Sequence, residues 1–517
     1  MDAPPHPMPP RGAPRADKKG DHVVTGGTTP GVNPLIFREY DIRGKVGTDL
    51  TPEVVQLLGR GFGTYLSEAQ TPRQAQPAGQ VQPGGGRNLP ILLGRDNRLS
   101  SDGFADAFAQ GLIDTGCDVQ DVGRVLTPML YYSRIAHGID GGVMITGSHN
   151  PPDFNGFKLC HGPATIYGHE IQEIRRIVEG GQFASPRSGR GQSRGLVQLE
   201  PRRQALDLIP AYRGMLMDKI HLGPRRLKVV VDCGNGTASL FAPAILRDWG
   251  CEVIPLYCTS DPTYPHHHPD PVKAENLSDL QLAVRKHGAD VGIAYDGDGD
   301  RIGAVDERGK VLWGDLLMAL FWREILPRYP GAPAIVEVKC SQALAEEIER
   351  LGGRPIFHKT GHSLIKATMR ELGAVFAGEM SGHMFFADEY YGFDDAVYAS
   401  GRLLRILSNT DQTLSSLLST IPRYFSTPEI RVDCPDEAKF RVVDAIRSDF
   451  RGRFPVIDVD GARVLFPDGC GLVRASNTQP VLVLRCEAKT QAGLERIQSE
   501  MMGAVERYPE VGPIRWD

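Results

Sequence analysis

The stretch Gly141-Gly142-Val143-Met144-Ile145-Thr146-Gly147-Ser148-His149-Asn150-Pro151-Pro152 decides how this chain is read. Its first five residues form an apolar run of strand length, so Ser148 is expected on a loop at the exit of a buried strand. Open α/β sheets carry their ligands at such exits. A serine is a weak nucleophile unless a neighbour activates it or it already bears the group to be transferred. His149 is adjacent in sequence, which alone does not make a nucleophile and base pair. Asn150-Pro151-Pro152 is turn chemistry that stiffens the loop, because proline fixes φ and pushes the residue before it away from helix. Taken alone, Ser-His-Asn-Pro is a loop without a role, and only the surrounding chain can give it one.

Working outward, Leu89 to Gly94 reads as another strand. Phe104, Ala107, Phe108, Gly111 and Leu112 recur at helical spacing behind a cap at Ser100 or Ser101. Val119 to Val122 supplies a possible further strand. This alternation predicts an α/β layer domain. A second unit has a strand at Lys228 to Val231, a tight turn at Asp232 to Thr237, a helix over Ala238 to Trp249 and a strand at Val253 to Leu256. A third begins near Leu312, with a strand at Ala334 to Val338 and a helix through Leu344 and Ile348. From Pro422 a helix near Asp436 to Arg447 precedes strands at Arg463 to Phe466 and Val481 to Cys486, an α+β pattern of separate character.

The chain of 517 residues is too long for a single core. With 58 basic and 63 acidic residues it carries a net charge of −5, and no Lys/Arg-rich tract suggests nucleic-acid binding. The 9 cysteines are scattered without a C-x-x-C pair, which fits a reducing compartment, and the expected location is the cytoplasm. The first thirty or so residues lack an apolar core and read as a disordered leader, not a signal peptide. Residues 70–88 read as a flexible insertion, and 180–196 as a second Gly/Ser/Arg-rich stretch. No apolar run is long enough to span a membrane.

Four further segments carry chemistry. In Asp296-Gly297-Asp298-Gly299-Asp300-Arg301 the carboxylates alternate with glycines, so their oxygens can converge on a hard divalent cation such as Mg²⁺. An EF-hand reading fails because Arg301 stands where the twelve-residue frame needs glycine. Arg301 adds a cation that can pair with phosphate beside the metal. Gly378-Glu379-Met380-Ser381-Gly382-His383 offers a carboxylate, a hydroxyl and an imidazole, suited to sugar hydroxyls. Arg474-Ala475-Ser476-Asn477-Thr478-Gln479-Pro480, between a Gly-rich turn and an apolar strand, presents converging donors as a phosphate nest would, or is a polar hairpin loop. Arg38-Glu39-Tyr40-Asp41-Ile42-Arg43-Gly44 is an anion grip or a solvated turn. His362 and Lys339 lie in short polar segments that are equally readable as structural.

These segments, in this order, resemble the α-D-phosphohexomutases, and the likeness is nearest to the bacterial phosphomannomutase/phosphoglucomutase branch. It covers the chain from about residue 33 onward. The pairing of Thr-Gly-Ser-His-Asn-Pro with Asp-Gly-Asp-Gly-Asp-Arg far downstream is the specific part. The resemblance implies three related α/β domains with mixed sheets plus a C-terminal α+β domain around a central active-site cleft. The divisions expected are a leader at 1–32, then domains at 33–205, 206–310, 311–421 and 422–517.

The resemblance also implies roles. Ser148 would be a phosphoserine with His149 beside it. Asp296, Asp298 and Asp300, with a phosphoserine oxygen, would bind Mg²⁺, and Arg301 would help hold the site. Lys158 and His383 would be the candidates for proton transfer. Glu379 and Ser381 would contact sugar hydroxyls, while Arg474, Ser476, Asn477 and Thr478 would hold the phosphate not being transferred. Tyr40, Arg43, Lys339 and His362 match further substrate-binding positions. The implied reaction converts hexose 1-phosphate to hexose 6-phosphate through a hexose 1,6-bisphosphate, with glucose 1,6-bisphosphate as activator. The expected partner is a small phosphosugar, with neither nucleic acid nor membrane involved, and the expected state is a monomer or weak homodimer. Competing expectations are a phosphoglucosamine mutase, favoured less by Gly147 and Met380, a non-catalytic phosphosugar-binding regulator, and a metal-dependent phosphatase.

Overall fold

The computed structural model describes residues 31–69, 88–186, 200–476 and 479–514. The leader to residue 30, the insertion at 70–87 and residues 187–199 of the second Gly/Ser/Arg-rich stretch lie outside them.

Gly141–Ile145 is a strand buried along its whole length, as its unbroken apolar run requires. It pairs in parallel with Leu89–Arg95 and antiparallel with Phe154–His161. Cys117–Arg124 and then Arg203–Ala205 extend the sheet on one side, and Ile42–Lys45 closes it on the other. Helices Pro52–Ala69 and Ser101–Asp114 cross against each other at Gly59 and Gly111. A Cβ on Gly59 would stand 2.4 Å from the Phe108 carbonyl oxygen, and one on Gly111 would stand 2.2 Å from that of Gln56.

The same plan recurs twice. Lys228–Asp232 lies between parallel partners Glu252–Leu256 and Val291–Tyr295, and Ile302–Asp306 then folds back antiparallel. Pro333–Glu337 lies between Arg354–His358 and Phe376–Gly378, with Met384–Phe386 folding back. The fourth sheet is antiparallel throughout, with helices Asp436–Arg451 and Gln491–Val505 contributing to its core. The three expected α/β units with mixed sheets and the α+β unit are therefore the fold observed.

One consequence positions the site. The serine loop, the aspartate loop, the Glu379 loop and the Arg474 loop each occupy the turn where a strand reverses into an antiparallel partner: 145 to 154, 295 to 302, 378 to 384 and 475 to 481. One apolar core runs from Met129 through Val229 and Val291 to Trp322 and Phe386, so the first three sheets share buried contacts. The fourth has its own core and docks on the third through polar bonds. Arg463 donates to the carbonyls of Val338 and Cys340, both at 2.8 Å, and Glu487 accepts the Gln342 N–H at 2.6 Å.

Three local expectations need correction. Ser100 sits at the N-cap of Ser101–Asp114 but makes no capping bond; its hydroxyl accepts from Asn155 instead. The helix expected over Ala238 to Trp249 is a short 3-10 turn, Thr237–Leu240, followed by Ala242–Asp248. Pro243 lacks an N–H and fits only the first turn of a new helix. The Gly-rich turn expected before Arg474 is the strand Gly469–Ala475. Gly471 gives room to the last helix, since a Cβ there would stand 2.5 Å from Met501 Cγ, and Gly469 to the partner strand, where a Cβ would stand 2.0 Å from the Glu487 carbonyl oxygen. No helix among the described residues is long and apolar enough to cross a membrane.

Candidate active site

Ser148 adopts a left-handed backbone, φ 48°, unusual for a residue with a Cβ. Arg98 shapes the loop that holds it there. Its buried guanidinium donates to the carbonyl oxygens of Ser148 at 2.9 Å, Asn150 at 2.6 Å, Pro151 at 2.6 Å and Phe154 at 2.9 Å. Gly147 is required beside it, because a Cβ there would lie 2.4 Å from the guanidinium. The Gly147 N–H donates to Asp96 at 3.0 Å and the Ser148 N–H to the Thr146 hydroxyl at 2.8 Å. The Ser148 hydroxyl is thereby turned onto Asp296 Oδ2 at 2.8 Å, with His149 Nδ1 at 3.2 Å. Burial and the neighbouring Arg301 and Arg43 hold the His149 imidazole well below its ordinary pKa, so it is neutral.

Asp296, Asp298 and Asp300 are fully buried, and each offers an oxygen within 4.8 Å of the other two. Burial, then the charges of Asp300 and Asp298, push the Asp296 carboxyl well above the usual range. Lys158 partly offsets this crowding, lying 2.7 Å from Asp298 and 2.5 Å from Asp300. Thr127 donates to Asp298 at 2.5 Å. Oδ1 of Asp298 and Oδ1 of Asp300 remain buried without a hydrogen-bond partner. Three converging carboxylates, two of them with an orphaned oxygen, are a donor set suited to a hard divalent cation. Glu307 takes no part, being bonded to the Ser415 N–H at 3.1 Å.

Behind the triad, Arg301 Nε donates to His383 Nε2 at 2.9 Å. That bond makes Nε2 the acceptor and leaves the proton on Nδ1, which faces Asp394 Oδ2 at 2.8 Å and Asp300 at 3.7 Å. Asp300, His383 and Asp394 also bring one ligand atom each within 4.8 Å of one another, and His383 Nδ1 and Asp394 Oδ2 are buried without a hydrogen-bond partner despite their ionic approach. Lys366 holds Asp394 from its other oxygen at 3.0 Å. The ring of His362 stacks on His383 with centroids 5.2 Å apart, and burial and Lys366 keep its imidazole well below the ordinary pKa.

The remaining expected residues continue the surface toward the fourth unit. Glu379, its carboxyl raised by burial, accepts the Gly361 N–H at 2.7 Å, and Ser381 is half-buried on the same turn. Tyr40 donates to the Thr360 carbonyl at 2.8 Å and lies over Gly361. Lys339 meets Glu429 at 3.2 Å, and Arg474 Nε donates to Asp460 at 2.8 Å. The Ser476 hydroxyl accepts the Gln479 N–H at 3.2 Å. Asp460 also accepts the Thr360 N–H at 3.2 Å, so one carboxylate ties the Arg474 loop to the third sheet. Arg43, close enough to act on His149, has its guanidinium bonded to Asp41 at 2.9 and 2.6 Å. Asn477 and Thr478 lie outside the described residues.

Arg98, Thr127, Glu337, Asp394 and Asp460 are absent from the sequence expectations. Asp96-Asn97-Arg98 directly follows a strand of the same sheet as the serine loop, a signal of position that could have found Arg98. Asp394-Asp395 is an acidic pair in an apolar setting, and both are buried.

Residues 34–185, 212–309 and 313–424 match the alpha/beta/alpha domains I, II and III of phosphoglucomutase/phosphomannomutase, and 429–504 match its C-terminal domain. The chain is 44% identical over 471 residues to a phosphomannomutase/phosphoglucomutase of Pseudomonas aeruginosa, covering 91% of this chain and 95% of that one. It is 42% identical to a phosphoglucomutase of Neisseria meningitidis, over 92% and 98% of the two chains. A crystal structure of a phosphoglucomutase/phosphomannomutase family protein from Burkholderia thailandensis superposes with a TM-score of 0.82 at 38% identity, over 92% and 98% of the two chains. With all four domains matched in order and the serine and aspartate turns meeting as described, the chain belongs to the phosphoglucomutase/phosphomannomutase family.

Proposed function

We propose that the protein is a phosphohexomutase interconverting the 1-phosphates and 6-phosphates of mannose and glucose, with Ser148 phosphorylated in the working enzyme. The observation that carries this reading is the 2.8 Å approach of the Ser148 hydroxyl to Asp296 within a three-carboxylate cluster. In the first half-reaction the bond from phosphorus to Ser148 Oγ breaks, and a bond forms to the free hydroxyl of the bound sugar phosphate, whose proton passes to a base. The resulting 1,6-bisphosphate turns end for end and returns its other phosphate to Ser148. Glucose 1,6-bisphosphate activates by re-phosphorylating the serine.

Asp296, Asp298, Asp300 and an oxygen of phosphorylated Ser148 would hold Mg²⁺, which supplies charge neutralisation on the transferring phosphoryl oxygens. Arg301 shares that task and orients His383. Lys158, its ammonium kept charged by Asp298 and Asp300 despite burial, and His383 are the candidates for proton transfer. His149, neutral, orients the serine. Tyr40, Arg43, Lys339, His362, Glu379 and Ser381 hold the sugar, while Arg474, Ser476, Asn477 and Thr478 hold the phosphate at rest.

The domains divide at 205/206, 310/311 and 421/422, and the last moves on its polar contact with the third while the intermediate turns. The enzyme acts in the cytoplasm as a monomer or weak homodimer, independently of nucleic acid and membrane. The test supplies purified protein with mannose, glucose and glucosamine 1-phosphates, Mg²⁺ and trace glucose 1,6-bisphosphate. Turnover of the first two well above the third is expected. Dominance of the third moves the protein to the aminosugar reaction, and no isomerisation by protein confirmed to be phosphorylated at Ser148 overturns the reading in favour of a binding regulator.

A further inference from the structure

Cys233 and Cys258 have no part in the reaction above, yet their sulfurs lie 3.3 Å apart. They stand just past the ends of the neighbouring parallel strands Lys228–Asp232 and Glu252–Leu256. Cys233 is wholly buried, whereas Cys258 is partly exposed. The approach is held from several sides. Tyr257, immediately before Cys258, sits at φ 49°, and its carbonyl accepts the Asn235 N–H at 2.8 Å. Its ring stacks on His266 at 3.9 Å, and its hydroxyl donates to Asp279 at 2.7 Å. A non-glycine residue kept in that conformation by three contacts turns the next side chain inward.

We propose that Cys233 and Cys258 are a modification site, forming a reversible intramolecular disulfide by exchange with low-molecular-weight disulfides of the glutathione class. The Cys258 thiolate attacks one sulfur of the oxidised reagent, releasing one thiolate and leaving a mixed disulfide on Cys258. Cys233, deprotonated as it reacts, then attacks the Cys258 sulfur and expels the second thiolate. Two protein thiols are oxidised and one disulfide is reduced to two thiols, so the exchange balances. The order follows from position. The sulfur contact with Cys233 draws the Cys258 thiol below its ordinary pKa, and burial holds Cys233 well above it. Bond formation needs the sulfurs to close by only about 1.3 Å to reach the usual disulfide length. Among the described residues no other two cysteines share a hydrogen bond between their sulfurs.

The bond would sit at the base of the turn 232–237, which bears directly on the aspartate loop. Thr237 N–H donates to the Gly297 carbonyl at 3.0 Å, and Asn97 donates to the Asn235 carbonyl at 2.8 Å. This thiol exchange is independent of the sugar-phosphate reaction.

The full-length protein is equilibrated in buffers of reduced and oxidised glutathione, quenched by alkylation and mapped by mass spectrometry without reduction. The expected result is a cross-linked peptide pair joining Cys233 to Cys258 that disappears with dithiothreitol, while the other cysteines are alkylated. Cys233→Ser should instead accumulate glutathione on Cys258, because the resolving thiol is gone. The proposal is overturned if wild-type Cys258 keeps a stable glutathione adduct. It is overturned equally if both thiols are still alkylated under conditions that oxidise other cysteines of the chain.

Discussion

Ser148 and Asp296, 148 residues apart in the chain, are joined by a 2.8 Å hydrogen bond that connects the turn of the first sheet to the turn of the second. The bond suits a hydroxyl, which donates, facing a carboxylate, which accepts. A phosphorylated serine would reverse that relation by placing close to two negative charges against a buried carboxylate. Only a cation between them makes the pair favourable.

Phosphorylation and metal binding should therefore be coupled. Protein phosphorylated at Ser148 is expected to bind Mg²⁺ at least about tenfold more tightly than Ser148→Ala, the difference worth about 1.4 kcal/mol. Titration calorimetry on both forms measures it, and equal affinities would remove the phosphoserine from the cation site. Ser148→Ala should also lose turnover by about 10⁴-fold or more while keeping sugar-phosphate binding.

Gly297 lies against the same serine from the opposite loop. A Cβ there would come within 2.3 Å of the Ser148 carbonyl oxygen, which is backbone and cannot swing aside. Gly297→Ala should cost roughly 1–3 kcal/mol of stability by overpacking. It should reduce kcat far more than it changes KM, because it separates the serine from the aspartates without touching the sugar contacts. A proportionate rise in KM with kcat preserved would count against that account.

The turns that hold the site are legible in the chain because each couples an apolar strand to glycines and polar groups, as in Gly141 to Pro152 or Ile293 to Arg301. Glycine marks where backbone must approach backbone, and Gly297 against Ser148 is such a place. What supports those turns is not legible. Arg98 bonds backbone carbonyls about fifty residues away, and a carbonyl has no residue type for a reader to match. Asp460 and Glu337 are ordinary acids until folding brings Thr360 to both. The reversal into an antiparallel strand, common to all four loops, is a property of topology. It becomes visible only when the sheets are laid side by side.

Arg98 gives the sharpest contrast between charge and shape. Lys at this position keeps the charge but offers one nitrogen where four carbonyls now receive a planar fork. Arg98→Lys should lower stability by roughly 2–4 kcal/mol through carbonyls left unsatisfied. Freed of its template, Ser148 should leave φ 48° and turnover should fall about a hundredfold or more. Urea unfolding and steady-state kinetics read the two effects separately. A variant with wild-type turnover would show that the loop holds its own shape.

Asp395 predicts a pH dependence with a definite sign. It caps the helix Ala396–Ser408 from full burial, accepting from Tyr212 at 2.7 Å, Tyr390 at 2.6 Å and the Tyr398 N–H at 2.8 Å. Burial pushes its carboxyl up to about 6 against the pull of those donors. The unfolded chain would titrate this group near pH ~3.9. The folded state therefore holds the proton more tightly, and the stability this contributes is complete below about pH 4 and lost as the pH rises through about 6. Two units of difference correspond to about 3 kcal/mol. In Asp395→Asn the group is neutral at every pH, its carbonyl still caps Tyr398, and its amide can donate to the tyrosine oxygens. The urea midpoint of the wild type should decline relative to the variant between about pH 4 and 6.5 and run parallel to it above. Parallel midpoints across the whole range would mean that Asp395 stays ionised in the folded protein, and that its two tyrosines stabilise the buried charge more than burial opposes it.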